Sequence, residues 1–322
     1  MTSPSVLAID IGGTKIAAAA CGPDGTLEHT HRFPTPVSDG PQAILQAAIA
    51  AGHAVIDAAT RCGTSITAVG VGSAGHIDHT CGVVTYAADT LPGWAGIDLK
   101  HAFNTAWGLP VVADNDVNAM ALGEMRFGAG RSFQHALMLT VGTGVGGAIV
   151  HGGELWRGVT WSAGEIGHLL VDWDGTRRCS CGRVGHLEAY AAGPAMALRY
   201  RQRSADDADV DLRTVAARAA TNDLVASEVI AEGARILGLA IGGLLSVLDM
   251  EVVVIGGGVA EIGDSWWQPL EQTIRNSAMP GPARVHLRPA ELGTSAVLVG
   301  AGWLAHQLSP GVGDADRSDP AR

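Results

Sequence analysis

Apolar runs of five to seven residues alternate along this chain with glycine-rich turns, and longer stretches with helical spacing separate them. SVLAIDIGG reads as a buried strand that ends in glycines, KIAAAAC as a second strand, and TLEHTHRF, after the GPDG turn, as a third. AILQAAIAAGHAVIDAAT spaces its apolar residues for a helix. ITAVGVGSAG and LPVVADND are further strands that run into turns, and VNAMALGEMRFGAG is a helix entered from the Asp-Asn-Asp turn. The middle of the chain repeats the theme. HALMLTVGTGVGGAIVHGG predicts a hairpin, DLVASEVIAEGARILGLAIGGLLSVLD a long amphipathic helix and EVVVIGGG a strand; ARVHLRP and SAVLVGAGWLAHQL close the chain as strand and helix. RQRSADDADVDLR reads as a polar surface connection, and residues 309–322 as a disordered tail.

A strand with a Gly-rich hairpin therefore opens each half, which predicts two related α/β lobes with a cleft between them. The 322 residues exceed one comfortable core and agree with that division. The expected lobes are residues 1–115, completed by the C-terminal helix at about 294–308, and residues 116–293. No uninterrupted apolar run reaches the roughly 18 residues of a membrane span, and the start lacks the basic region of a signal peptide. Five scattered cysteines do not make a disulfide framework, so a reducing cytoplasm is expected. A net charge of −11 argues against nucleic acid as a partner. It leaves room for an anionic substrate held by backbone amides.

Three turns suit such an anion. DIGGTK joins two strands, unlike a Walker loop, which needs a following helix. In it Gly12 and Gly13 let backbone approach a phosphate, and Thr14 and Lys15 add donors. TVGTGVGG, with Thr143 and Gly144, is a second hairpin of this kind. In IGGGVA, Gly256, Gly257 and Gly258 offer side-chain-free backbone to a base or ribose. One such turn is an ordinary tight hairpin; three in order point to a nucleotide. Between the first two lies ADNDVNA, where Asp116 opens a helix. Its plain role is an N-cap; its functional role is the base that accepts a hydroxyl proton during phosphoryl transfer. Asp114 competes for that role, and Asp10 is placed to reach Mg²⁺ or its waters. CSCGRVGHLE adds three metal-type ligands, Cys179, Cys181 and His186, one short of a tetrahedral set.

DIGGTK, the ND of ADNDVNA, TVGTGVGG, AGEIGH, the Cys/His stretch and IGGG together resemble the ROK family (repressor, open reading frame, kinase), from about residue 5 to 306. The resemblance implies an actin-like, RNase-H-like two-lobe fold and transfer of the ATP γ-phosphate to a hexose or N-acylhexosamine. It implies Asp116 as base and Asn115, Glu165, His168 and Glu188 as sugar ligands, with Gly75 letting backbone approach the sugar. It also makes His168 the fourth ligand of a structural zinc. The family's usual knuckle is CxCGxxGC, and His186 stands here for its third cysteine. Two thiolates balance Zn²⁺ where three would leave the site negative. Glucose is the first expected substrate, N-acetylmannosamine or N-acetylglucosamine the next, and polyphosphate an alternative donor that the intact IGGG turn disfavours. A sugar-responsive regulator of the same family is the remote alternative. A homodimer or higher oligomer is expected by the same resemblance.

Overall fold

The computed structural model describes residues 4–88, 90–204 and 210–308. The chain divides into two compact units. The first takes in the described parts of Met1–Arg131, Arg157–Ser162 and Thr294–Arg322, the second those of Ser132–Trp156 and Ala163–Gly293.

In the first unit, β1 (Ser5–Ile11), β2 (Lys15–Cys21) and β3 (Leu27–Pro34) form an antiparallel meander. After α1 (Pro41–Arg61), the strand β4 (Ile66–Ser73) pairs parallel to β1. A small ribbon of β5 (His76–Asp78) and β6 (Val83–Tyr86) and the helix α2 (Leu99–Trp107) lead to β7 (Val111–Asn115), parallel to β4. The sheet order is β3-β2-β1-β4-β7. Successive side chains of a strand point to opposite faces, and β1 uses both. Leu7, Ile9 and Ile11 join the core formed with Ile44, Ala48 and Val55 of α1, while Val6 and Ala8 enter a second core. The sheet is followed by α3 (Asp116–Phe127).

The second unit repeats the plan. β8 (Ala136–Val141), β9 (Val145–His151) and β10 (Glu154–Trp156) are an antiparallel meander. The helices α4 (Glu188–Ala191), α5 (Gly193–Ser204), α6 (Leu212–Ala220) and α7 (Leu224–Leu248) precede β11 (Val252–Gly256), which pairs parallel to β8. After α8 (Asp264–Ser277), β12 (His286–Pro289) pairs parallel to β11. The order β10-β9-β8-β11-β12 reproduces that of the first sheet, which is the duplication read from the sequence. Helices α1 and α7 are long and apolar enough by length and composition to span a membrane. Each instead turns a buried stripe into its unit's core: Ile44, Ala48, Val55 in one, Leu237, Ile241, Leu245 in the other.

The last helix, α9 (Ala296–His306), belongs to the first unit and fills its second core with Leu298, Ala301 and Ala305. It also holds α3 there. A Cβ at Gly300 would lie 1.7 Å from the Ala119 carbonyl oxygen, so the two helices touch backbone to backbone. The first unit consequently runs to Arg131, past the 115/116 border expected from the pattern of strands. Arg201–Ser204 of the expected polar connection end α5, and Leu212 and Arg213 begin α6. The expected tail lies outside the described residues.

Candidate functional site

The predicted site residues fall into two groups, one in each unit. In the first unit the DIGGTK turn links β1 and β2. The Gly12 N–H donates to the Lys15 carbonyl at 3.0 Å, and Thr35 fastens the turn by donating its hydroxyl to the Gly12 carbonyl at 2.6 Å. Thr14 is left exposed at the tip. One residue before the end of β1, Asp10 is only 6% exposed. Burial pushes its carboxyl up to about 7, the negative charge of Asp116 pushes in the same direction, and Lys15 and Arg32 oppose both. A dehydrated carboxylate that feels a second negative charge would be relieved by a nearby cation.

The ADND turn connects β7 to α3, and each of its polar side chains has a separate task. Asp114 is 1% exposed. Its Oδ2 accepts from Nε and Nη2 of Arg157, both at 2.8 Å, and lies 3.3 Å from His79 Nδ1. Its Oδ1 accepts from the Asn118 amide and the Asn115 N–H, both at 2.8 Å. Burial alone would raise this carboxyl, yet His79, Arg157 and Asn118 together hold it below the ordinary range. Asp114 is therefore a spent structural anion, which removes it as a competitor for the base. Asn115, not Asp116, is the N-cap: its Oδ1 accepts from Val117 N at 2.8 Å and Asn118 N at 3.1 Å. Its Nδ2 donates to the Gly75 carbonyl at 3.0 Å and to Asp116 Oδ1 at 2.9 Å. That engagement leaves the Asn115 side chain largely committed within the protein. Gly75 has φ of 102°, and a Cβ there would lie 2.5 Å from the Tyr86 carbonyl, so the turn requires glycine. Asp116 is the first residue of α3, half-buried, with Oδ1 also accepting from Val117 N at 2.9 Å.

In the second unit the TVGTG and IGGG turns abut. A Cβ at Gly257 would lie 2.4 Å from the Val141 carbonyl, and Val259 N donates to that oxygen at 3.0 Å. Thr143, Gly257 and Gly258 are exposed, Gly144 is half-buried and Gly256 closes β11 inside the sheet. Nearby, Glu188 at the start of α4 accepts from Val145 N at 3.2 Å through Oε2 and from Ser180 Oγ at 2.5 Å through Oε1. Cys179 Sγ lies 3.4 Å from the same Oε1. Glu188 thus bridges the β8–β9 hairpin and the Cys/His loop. Glu165 precedes a single 3-10 turn, Ile166–His168, and its Oε2 lies 3.6 Å from His168 Nε2.

The other face of His168 looks to sulfur, with Nδ1 3.5 Å from Cys179 Sγ. Cys181 Sγ is 3.3 Å from His186 Nδ1, and the ligand atoms of all four residues lie within 4.8 Å of one another. The edges of a tetrahedron with zinc bond lengths of 2.0–2.3 Å measure about 3.3–3.8 Å. The two Cys–His separations fall in that range, so the set fits a zinc ion once its wider pairs, up to 4.8 Å, draw together. Burial, with the nearby Glu188 charge adding to it, raises the Cys179 thiol to about 11; burial, His168 and Arg183 depress His186, favouring the neutral imidazole a metal needs.

The sequence alone does not single out Arg157, His79 or Asn118 as parts of this turn. Asn118 carried a signal, since it follows Asp114 by four residues into a helix. Arg157 carried none, being 43 residues away.

The ROK family model matches residues 6–308. Glucokinase of Streptomyces coelicolor is 34% identical over 321 residues, spanning 94% of this chain and 98% of that protein. N-acetylmannosamine kinase of Shigella flexneri is 34% identical over 301 residues, again spanning 94% and 98%. Among solved structures, a ROK family glucokinase from Streptomyces griseus in complex with glucose and AMPPNP matches with a TM-score of 0.81 at 34% identity, covering 94% of this chain and 99% of its own. With the repeated sheet order, that match makes this an actin-like two-lobe α/β fold.

Proposed function

Since this chain belongs to the ROK family, we propose that it is an ATP-dependent sugar kinase acting on the 6-hydroxyl of a hexose, with glucose as first substrate. The observation that carries the reading is Asp116. It sits at the first turn of α3, its Oδ1 held by Val117 N and Asn115 Nδ2, on a turn anchored by the buried Asp114. Phosphoryl transfer asks little covalent chemistry of a protein beyond positioning, charge neutralisation and orientation of the nucleophile. Asp116 accepts the proton of the attacking sugar hydroxyl. The DIGGTK and TVGTG turns hold phosphate oxygens, and Gly256, Gly257 and Gly258 line the nucleoside. Asp10 would hold Mg²⁺ or its waters, and the ion would offset phosphate charge when bound. His168, Cys179, Cys181 and His186 would hold a structural zinc, which ties the GEIGH turn to the loop before Glu188. Glu165, His168 and Glu188 then present acceptors and a ring N–H to sugar hydroxyls, with Asn115 supporting them from the ADND turn. ATP as donor and the exposed free thiols of Cys62 and Cys81 suit a reducing cytoplasm.

N-acetylmannosamine is the second reading, because a relative of that activity is as similar as the glucokinase. Initial rates with ATP on glucose, mannose, N-acetylmannosamine and N-acetylglucosamine decide between them. A kcat/KM for glucose at least tenfold above the rest is expected. Turnover confined to an N-acylhexosamine would replace glucose, and no turnover of any sugar would end the kinase reading.

A further inference from the structure

The Cys/His loop carries the residues that would ligate a metal, yet it also meets the second unit through side chains outside that set. Tyr190 lies on α4, two residues beyond Glu188, and is 7% exposed. Its hydroxyl donates to Asp172 Oδ2 at 2.8 Å. The Arg177 guanidinium stacks over the Tyr190 ring at 4.5 Å and reaches Glu232 of α7 at 3.7 Å. Glu232 in turn is held by Arg203 and lies 3.8 Å from Arg199, both on α5, so it is a fixed post rather than a free surface acid.

The backbone carries these fastenings across the loop. Val171 N and Asp172 N both donate to the Gly185 carbonyl, Gly185 N donates to the Arg177 carbonyl, and Leu187 N to the Leu169 carbonyl. Fixing Asp172 and Arg177 therefore fixes 185–187, the residues that deliver His186 and lead into Glu188. The chain passes directly over the Tyr190–Asp172 pair at Gly175, where a Cβ would lie 2.3 Å from the Tyr190 hydroxyl and 2.5 Å from Asp172 Oδ2. A loop held by metal alone would not need that close passage.

We propose that Tyr190, Asp172, Arg177 and Glu232 form a metal-independent latch that holds the base of the zinc loop and positions Glu188 for sugar binding. These are positioning residues. The link to sugar rests on the kinase reading given above; the latch itself does not. A single hydrogen bond contributes about 0.5–1.5 kcal/mol net, which corresponds to roughly a 2–12-fold change in an equilibrium. Tyr190→Phe keeps the ring under Arg177 and removes only the bond to Asp172.

The experiment compares full-length wild type with Tyr190→Phe, Arg177→Met, Asp172→Ala and Asp172→Asn. Melting curves confirm folding. Asp172→Asn keeps an oxygen that can accept from Tyr190, so it should lie closer to wild type than Asp172→Ala. Amide hydrogen exchange should rise about 2–12-fold across 169–187 in Tyr190→Phe and Arg177→Met and stay unchanged across β1 and β2. Zinc loaded at one per chain should pass to a chelator faster by a similar factor. Sugar KM should rise in the same range while kcat and ATP KM stay within about twofold. Wild-type exchange and zinc release in both variants would overturn the latch. Altered exchange with an unmoved sugar KM would overturn its link to Glu188. Altered exchange in a protein that phosphorylates no sugar would support the latch and remove the kinase reading instead.

Discussion

The two halves of the candidate residue set, one in each unit, are built by opposite means. The ADND turn gets its shape from protein alone: a carboxylate 1% exposed at Asp114 gathers Arg157, His79, Asn118 and the Asn115 amide, and the turn that presents Asp116 is anchored on it. The loop before Glu188 has few residues in regular structure, with isolated bridges at Leu170–His186 and Arg178–Val184 and a cluster of four Cys and His residues. A buried ionic cluster tolerates no loss of a partner, because the remaining charge stays dehydrated. A loop tied by a metal, as proposed for this one, would loosen by degrees. Substitutions in the ADND turn and its buried anchor should therefore fail abruptly, in turnover or in folding, whereas those in the second half should shift affinity.

Asp116→Asn is the largest of these effects. It preserves size and most of the hydrogen bonding while removing the proton acceptor, and loss of a general base costs about 10²–10⁴-fold. The expected result is a kcat lowered by that factor with sugar binding by calorimetry within a few-fold of wild type. A kcat near wild type would move the base elsewhere, since Asp114 has no capacity left to take over.

Arg157→Ala probes the anchor under the base. Removing one partner of a buried ion pair costs about 3–5 kcal/mol, so a melting temperature lower by ten degrees or so is expected. Adding Asp114→Asn removes the orphaned charge and should return part of that loss. Additive losses in the double variant would mean that the pair is not coupled.

The contrast also explains what the sequence disclosed. Strands such as VLAIDI and VVVIG are buried on both faces, so they read as continuous apolar runs, and the repeated hairpin announced the duplicated sheets. The Cys/His cluster was legible because three of its four members lie within eight residues of each other. The anchor was not. Arg157 reaches Asp114 from 43 residues away, and no local pattern encodes such a contact. The lobe border was misplaced for a related reason: what ties α3 to the first unit is the glycine-to-backbone contact with α9, far along the chain. The latch escaped in the same way, because Arg177 and Glu232 are polar residues whose pairing depends on α7 passing beside the loop.

The zinc half should respond more gently. Cys181→Ser removes one thiolate and is expected to abolish metal retention, raising sugar KM by about tenfold and leaving ATP KM near wild type. His186→Cys should keep the metal and release it more slowly to a chelator, since a third thiolate adds negative charge. Acidification should weaken binding in every version that holds zinc, as thiolates and imidazoles take up protons. Elemental analysis of a fully active preparation without zinc would break this side of the comparison. Equal rises in sugar and ATP KM would reduce the metal to a general prop.

Asp10→Asn tests whether the rigid half is also a strained one. The Asp10 carboxyl is raised from 3.8 to about 7 on folding, by burial first and the Asp116 charge second. Between those values the unfolded chain has released the proton and the folded chain still holds it. Folded wild type therefore binds more protons, and its stability falls as pH rises from about 4 to about 7, after which the penalty is complete. Asparagine carries no such charge. Without ligand, Asp10→Asn should melt close to wild type at pH 4 and clearly above it at pH 8. A divalent cation bound with nucleotide would offset the repulsion in wild type, so saturating Mg²⁺ and a nucleotide analogue should narrow the gap at pH 8. Loss of kinase activity alongside that gain in stability would mean that Asp10 is kept charged, against its surroundings, for its work on the metal. A margin that does not change between pH 4 and pH 8 would show instead that the buried carboxyl is already accommodated, and that this half is rigid without being strained.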